Sequence, residues 1–313
     1  MKTNQVSRRR FIGTGALAAA GTLVLSKSSF AHAILSSDKK PNSVINGVQI
    51  GVITYSFRSM PGSIQDMLKY CIACNINAIE LMGEAAEEYA GIPKHESGQS
   101  GEDHRKAVAQ WRASVPMDKF KEIRKMYSDA GVSIYGWKPS ALDDHNTDDE
   151  VIYAFNAGQA LGASHVTVEL GSAAQTKRLG DLATAHKFKI GYHAHTQATP
   201  TLWDTALSQS EYNCINLDAG HYASGTSSSP VPFIEKYHDK IVSMHLKDRK
   251  FHDGPNEPWG EGDTPLADIL HVVRDKKYKF PVTIEFEYDV PNGSDAVTEV
   301  KKCRDFAVKA LKA

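Results

Sequence analysis

The stretch Ile241 to Arg249, I-V-S-M-H-L-K-D-R, runs from apolar and small residues into four ionisable ones. A buried parallel strand that ends at a polar site has this character. Side chains alternate along a strand, so His245, Lys247 and Arg249 share one side and Leu246 and Asp248 the other. An imidazole with two cations on one face is costly to bury unless an anion or a metal meets it. C-I-N-L-D-A-G-H at 214–221 and V-T-I-E-F-E-Y at 282–288 end in the same way. Three strands finishing in metal-ligand residue types point to one convergent site.

Such convergence needs a scaffold that brings strand ends together. After a linker over residues 34–46, short apolar runs alternate with helical patterns. The strands expected are Gln49–Ser56, Ala78–Met82, Val132–Lys138, His165–Leu170, Lys189–His195, Cys214–Asp218, Ile241–His245 and Val282–Glu287. They are rich in β-branched residues and bounded by Gly, Pro or polar residues. Eight such units fit an α/β fold, a single closed (β/α)8 TIM barrel over residues 47–313. An open doubly wound sheet would call for a glycine-rich loop after the first strand, where Ser56-Phe57-Arg58-Ser59 stands instead. The polar segment Gly83–Pro116 reads as an insertion over the barrel mouth, with Glu84, Glu87 and Glu88 on a solvated face.

Function collects at the carboxyl ends of barrel strands. Those ends supply Tyr55 and Ser56, Met82, Trp137 and Lys138, Glu169, His193 and His195, Asp218 with His221, then His245, Lys247 and Arg249, and last Glu285 and Glu287. Bland readings exist for single members: Glu285 as a buried acid paired with Arg249, Asp218 as the cap of the following turn. The H-A-H pair at 193 and 195 puts two imidazoles on one strand face, which is unusual for a core. The mixed nitrogen and oxygen set suits Zn, Mn or Co better than Ca.

The chain has 313 residues and a formal net charge of −1. The first 33 residues hold five Lys or Arg and no acid, so the remainder has 31 basic against 37 acidic residues, or −6. A mildly acidic body argues against a nucleic-acid partner. Ser7-Arg8-Arg9-Arg10-Phe11-Ile12, the weakly apolar Phe11–Ser26 and Ala31-His32-Ala33 read as a twin-arginine signal peptide over residues 1–33. That predicts a periplasmic protein with no membrane attachment after cleavage. A homo-oligomer is compatible with the sequence. Cys71 and Cys74 lie in an amphipathic helical pattern without a second pair, which favours core packing over a zinc ribbon.

L-D-A-G-H at 217–221, H-L-K-D-R at 245–249 and I-E-F at 284–286 resemble the sugar phosphate isomerase/epimerase superfamily of xylose isomerase-like barrels. G-V-I-T-Y-S-F-R at 51–58 and W-G-E-G-D at 259–263 are similar too, and the likeness spans the chain from about Gln49 onward. The superfamily includes keto-sugar epimerases, inosose dehydratase, 3-dehydroshikimate dehydratase and, more distantly, endonuclease IV. The resemblance implies one divalent metal held by Asp218, His245 and Glu285. The fourth ligand is His193, where the epimerases usually carry Glu and inosose dehydratases a Y-H-x-H pattern, or else Glu169. It further implies His221 at substrate oxygens, with Lys247 and Arg249 lining the site; Tyr55 and Trp137, at strand ends, are further candidate substrate contacts beside them. The shared chemistry is proton abstraction next to a carbonyl that the cation polarises. Glu285, His195, Glu169 and Lys247 are the candidate catalytic groups. The expected activity is sugar or keto-sugar isomerisation or epimerisation. The alternatives are a dehydratase or lyase acting on an inosose or 3-keto-glycoside, and a non-catalytic periplasmic carbohydrate-binding protein.

Overall fold

Strands covered on both faces are near-continuous apolar runs, and a parallel sheet buries them that way. In the computed structural model, which describes residues 40–313, the eight runs become parallel strands. They are β2 (Val48–Ile53), β3 (Ala78–Met82), β4 (Ser133–Lys138), β5 (His165–Glu169), β6 (Lys189–His193), β7 (Asn213–Asp218), β8 (Ile241–Leu246) and β11 (Val282–Ile284). Sheet order is β2-β11-β8-β7-β6-β5-β4-β3, and β3 pairs back with β2 to close the barrel. Helices over Ile64–Ala73, Asp118–Asp129, Asp148–Leu161, Ala173–His186, Leu266–Asp275 and Ala296–Lys312 surround it. The link between β6 and β7 carries only the short helix Asp204–Gln209.

Residues 41–46, at the end of the expected linker, are part of the compact unit Pro41–Ala313. There β1 (Val44–Ile45) pairs antiparallel with β2. Asn46 and Gly47 both take positive φ, the geometry of a tight hairpin turn. A second small pairing, β9 (Asp248–Arg249) with β10 (Asn256–Glu257), braces the loop after β8.

Three strands stop earlier than their apolar patterns suggest. After Ile53 the chain turns into a 3-10 segment, Thr54–Phe57; β6 stops at His193 and β11 at Ile284. Side chains satisfy the backbone beyond these ends: Ser56 Oγ accepts from Phe286 N at 3.0 Å, and Arg58 Nη1 donates to Phe286 O at 2.7 Å. A rim freed from ladder pairing lets its side chains turn into the mouth.

Inside the barrel, glycines alternate with bulky polar groups. A Cβ on Gly51 would lie 2.8 Å from the Tyr135 hydroxyl, and one on Gly136 3.0 Å from His165 Nε2. The parallel pairing of β3 with β4 skips Tyr135, a bulge that lets this ring point inward, where its hydroxyl meets Thr283 Oγ1 at 2.5 Å.

The segment 83–116 contains two helices, Gly83–Ala90 and Gly101–Ser114. Glu87 is not on a solvated face. It is buried, and its Oε1 accepts from Arg112 Nε and Nη2 at 3.1 and 3.0 Å, while Arg112 Nη1 reaches Glu150 at 3.0 Å. The signal-peptide reading falls on residues outside those described. Among the described residues no helix is long and apolar enough to cross a membrane.

Candidate metal and active site at the barrel mouth

Strand alternation sets which side chains enter the barrel. From β8 these are Ser243 and His245, from β7 Asn216 and Asp218, and from β5 His165 and Thr167, all buried. The side chain in phase on β3 is Glu80, a carboxylate with no solvent exposure. Its Oε1 accepts from Thr167 Oγ1 at 2.6 Å and Asn216 Nδ2 at 3.1 Å, and its Oε2 lies 2.8 Å from His245 Nε2. Burial alone would raise the Glu80 pKa, but the charge and hydrogen bond of His245 leave it lowered. Sequence reasoning passed over Glu80; the available signal was an acid in the middle of the otherwise apolar A-I-E-L-M.

His245 is thus oriented from behind by a carboxylate, as a metal-ligating histidine commonly is. Its other nitrogen, Nδ1, faces Glu285 Oε2 at 3.2 Å. Desolvation works against a charge on His245, yet Glu80 and Glu285 raise its pKa to about 10. Glu285 is also bonded to Lys247 Nζ at 2.9 Å, not to Arg249. Burial would lift the Glu285 pKa, but Lys247 and His245 hold it well below the usual carboxylate range.

Asp218 does two things at once. Oδ1 caps the following helix, Ala219–Thr226, by accepting from His221 N at 2.7 Å. Oδ2 lies 2.9 Å from Lys247 Nζ but lacks the alignment of a hydrogen bond. Burial, and the charge of nearby Glu285, push the Asp218 carboxyl up to about 7 against the opposing pull of Lys247.

His193 is buried, and its Nδ1 has no hydrogen-bond partner. Desolvation, Lys138 and His245 hold its pKa well below the ordinary value, so the ring is neutral and available as a ligand. His193, Asp218 and His245 each present a ligand atom, and these atoms lie within 4.8 Å of one another. An orphaned neutral imidazole, an unaligned carboxylate oxygen and a carboxylate-backed histidine form a donor set that fits a divalent ion. Glu285 Oε2 stands beside His245, 3.2 Å from its Nδ1.

The cleft above has a volume of about 210 Å³ and is lined by Tyr55, Lys138, Glu169, His195, Lys247 and Glu287, among others. That is below the ~300 Å³ at which drug-sized pockets begin, so it suits a small ligand. On one wall Lys138 Nζ donates to Glu169 Oε1 at 2.7 Å, and His195 Nε2 lies 3.6 Å from Glu169 Oε2. His195 stacks on His221, with ring centroids 4.6 Å apart. The His221 pKa falls to about 2 through desolvation and the cations Lys247 and Arg249, so its ring is neutral.

Two expected substrate contacts lie elsewhere. Trp137 is fully buried against Phe120 and Tyr153, because it alternates with the inward-facing Gly136 and Lys138 and so points out of the barrel. Arg249 stands behind His221: its Nη1 meets His221 Nδ1, and its Nε bonds Gly254 O at 3.0 Å.

Eight parallel strands with helices outside and a convergent His/Asp/Glu set at their carboxyl ends define a (β/α)8 barrel, a fold whose functional face lies at those ends. The profile of the xylose isomerase-like TIM barrel family matches residues 101–306. The chain belongs to that family. A comparison with curated protein sequences finds no match. Among solved structures it is similar to the probable 3-DHS dehydratase AsbF of Bacillus anthracis, at 15% identity and TM-score 0.59 over 85% of this chain and 98% of that one. A sugar phosphate isomerase/epimerase from Parabacteroides distasonis is similar at 18% identity and TM-score 0.57, over 85% and 96%. A xylose isomerase-like TIM barrel protein from Mycobacterium smegmatis, in complex with magnesium, is similar at 12% and 0.55, over 84% and 96%. At these identities the likeness is one of fold.

Proposed function

We propose that the protein is a divalent-metal-dependent isomerase or epimerase that moves a proton at the carbon next to the carbonyl of a sugar or keto-sugar. The observation carrying this reading is the partnerless buried nitrogen of His193, gathered with Asp218 and His245 at the barrel mouth. A magnesium complex of one structural neighbour supports it. An ion held by His193, Asp218, His245 and Glu285, with Mn, Co or Zn suiting the donors, would supply Lewis acidity at the carbonyl.

The chain's own groups do the rest. Glu285, kept ionised by Lys247 and His245, is a weak base and serves best as a ligand. Glu169 and His195, close enough to exchange a proton through a water, stand on another wall of the cleft and are placed to take and return it. His221 accepts from Arg249 at Nδ1, which leaves the proton on Nε2 for a substrate oxygen. Tyr55 at the rim covers the ligand. The twin-arginine pattern makes the proposed substrate pool periplasmic, of free sugars, keto-sugars or glycosides.

The test is incubation with a panel of ketoses and keto-glycosides in D2O with Mn(II). Deuterium at the carbon next to the carbonyl of recovered sugar, abolished in Glu169→Gln, is the expected result. Ligand binding that survives chelation, with no exchange on any substrate, overturns the reading in favour of a binding protein. A lyase is the second reading, favoured by His193 where the epimerases of the superfamily carry a carboxylate. It would reveal itself as new ultraviolet absorbance from an unsaturated ketone.

A further inference from the structure

Lys247 brings an ammonium to the place where the proposed ligand oxygens converge. The side chain is 3% exposed, and Nζ lies 2.9 Å from both Asp218 Oδ2 and Glu285 Oε2 while also contacting Glu287. A buried ammonium needs such partners. Two of its three carboxylates, however, belong to the donor set that fits a divalent ion. Metal-to-oxygen distances are about 2.0–2.2 Å for zinc, so an ion held by both oxygens would stand no more than about 5 Å from the ammonium. Two cations that close, screened by little water, repel strongly. The ion and the ammonium would compete for the same two carboxylates, Asp218 and Glu285.

His221 shows independently that this seat is a poor one for Lys247. The Arg249 guanidinium is anchored on Gly254 O through Nε and Nη2, and it can only donate, so His221 Nδ1 is the acceptor. A neutral imidazole then carries its proton on Nε2. That nitrogen faces Lys247 Nζ at 2.9 Å, and an ammonium also has only donors. A donor pointing at a donor gains nothing and leaves the His221 N–H unsatisfied. Glu287, outside the donor set and 19% exposed at the mouth, offers the flexible lysine a partner further out.

Resting on the metal-dependent reading, we propose that Lys247 is a tethered counter-cation, which neutralises the carboxylates until a divalent ion displaces it toward Glu287. Loading the ion then also releases His221 Nε2–H to donate to substrate, so metal binding and assembly of the substrate site become one event. Lys247 is in this sense a positioning residue for the metal, acting through Asp218 and Glu285.

The experiment is calorimetric titration of the chelator-treated full chain with Mn(II), comparing wild type with Lys247→Met. The variant keeps the length of the stem and loses the charge. It is expected to bind Mn(II) about tenfold or more tightly, the low end for close buried charge pairs. Its metal-free form should melt lower than wild type, and Mn(II) should raise its Tm by more. Equal or weaker affinity in a variant that melts cooperatively overturns the displacement while leaving the metal site standing. Should the variant fail to fold, a crystal structure of the wild type with Mn(II) decides. Nζ beyond hydrogen-bond reach of both Asp218 and Glu285 upholds the proposal, and Nζ remaining between them overturns it. A wild type that binds no Mn(II), Co(II) or Zn(II) removes the metal reading itself, and this proposal with it.

Discussion

Replacing Glu80 by Gln keeps the shape of a fully buried side chain and removes one charge, which isolates its electrostatic part. In the metal-free protein the His245 pKa is raised from 6.5 to about 10, against desolvation, by Glu80 and Glu285. That rise corresponds to roughly 5 kcal/mol of stability shared between the two acids. Glu80 is the first of them and bonds the ring at 2.8 Å, so about half, roughly 2–3 kcal/mol, should vanish in the variant. The sign follows from the direction of the shift. A raised histidine pKa contributes stability that is complete below pH 6.5 and is lost as pH climbs through about 10. Glu80 itself, with a lowered pKa, contributes fully above 4.5, its unfolded value. The gap between wild type and Glu80→Gln is therefore widest between pH 4.5 and 6.5 and closes toward pH 10. Urea unfolding of both chelator-treated proteins at pH 6 and pH 9.5 measures it. A gap independent of pH, or wider at pH 9.5, would refute the charge pairing of Glu80 with His245.

Arg112→Met strands two buried carboxylates and should cost about 3–5 kcal/mol of unfolding free energy. The Glu87 pKa is already raised by burial despite Arg112 and would rise further, so the deficit should grow from pH 5 to pH 8 in denaturant titrations. His193→Ala, removing a proposed ligand, should weaken Mn(II) binding by at least about tenfold in calorimetry while the fold persists by circular dichroism. Gly220→Ala would set a Cβ 2.5 Å from Lys247 Cγ and 2.6 Å from its carbonyl oxygen. We expect a loss of about 1–3 kcal/mol in denaturant titrations, together with altered Mn(II) affinity in calorimetry.

How far the sequence discloses this molecule depends on whether a signal is local or crosses the barrel. The strands are written locally, in β-branched runs such as V-Q-I-G-V-I at 48–53, and closure follows from having eight of them in parallel. The rim chemistry is local too: His245 and Lys247 share a side two residues apart, and Asp218 and His221 are joined by a cap. What escaped is set by partners far away in the chain. Glu80 takes its meaning from His245, 165 residues on, and Glu87 from Arg112 in a helix that its polar composition had disguised as a surface insertion. Trp137 shows a different limit. The bulge at Tyr135 admits two consecutive side chains, Tyr135 and Gly136, to the interior, so alternation counted from the start of β4 goes out of phase. Only the inward register of Gly136 and Lys138 puts Trp137 against the helices.

The same contrast explains why a substrate is hard to read from this chain. Metal ligands must present particular atoms and so leave residue types at fixed strand ends, whereas a sugar's hydroxyls can be met by many donors from any loop. In this cleft the polar groups include Lys138, Glu169, His195 and Glu287, drawn from four different strand ends. Under the proposed function, their mutual geometry, rather than any one of them, would carry the specificity. It follows that changing Tyr55 or Glu287 should alter which sugar exchanges its proton, while changes at Asp218, His193 or Glu169 should abolish exchange on all of them. A substrate-by-variant matrix of deuterium incorporation would expose that division, and uniform losses across both groups would contradict it.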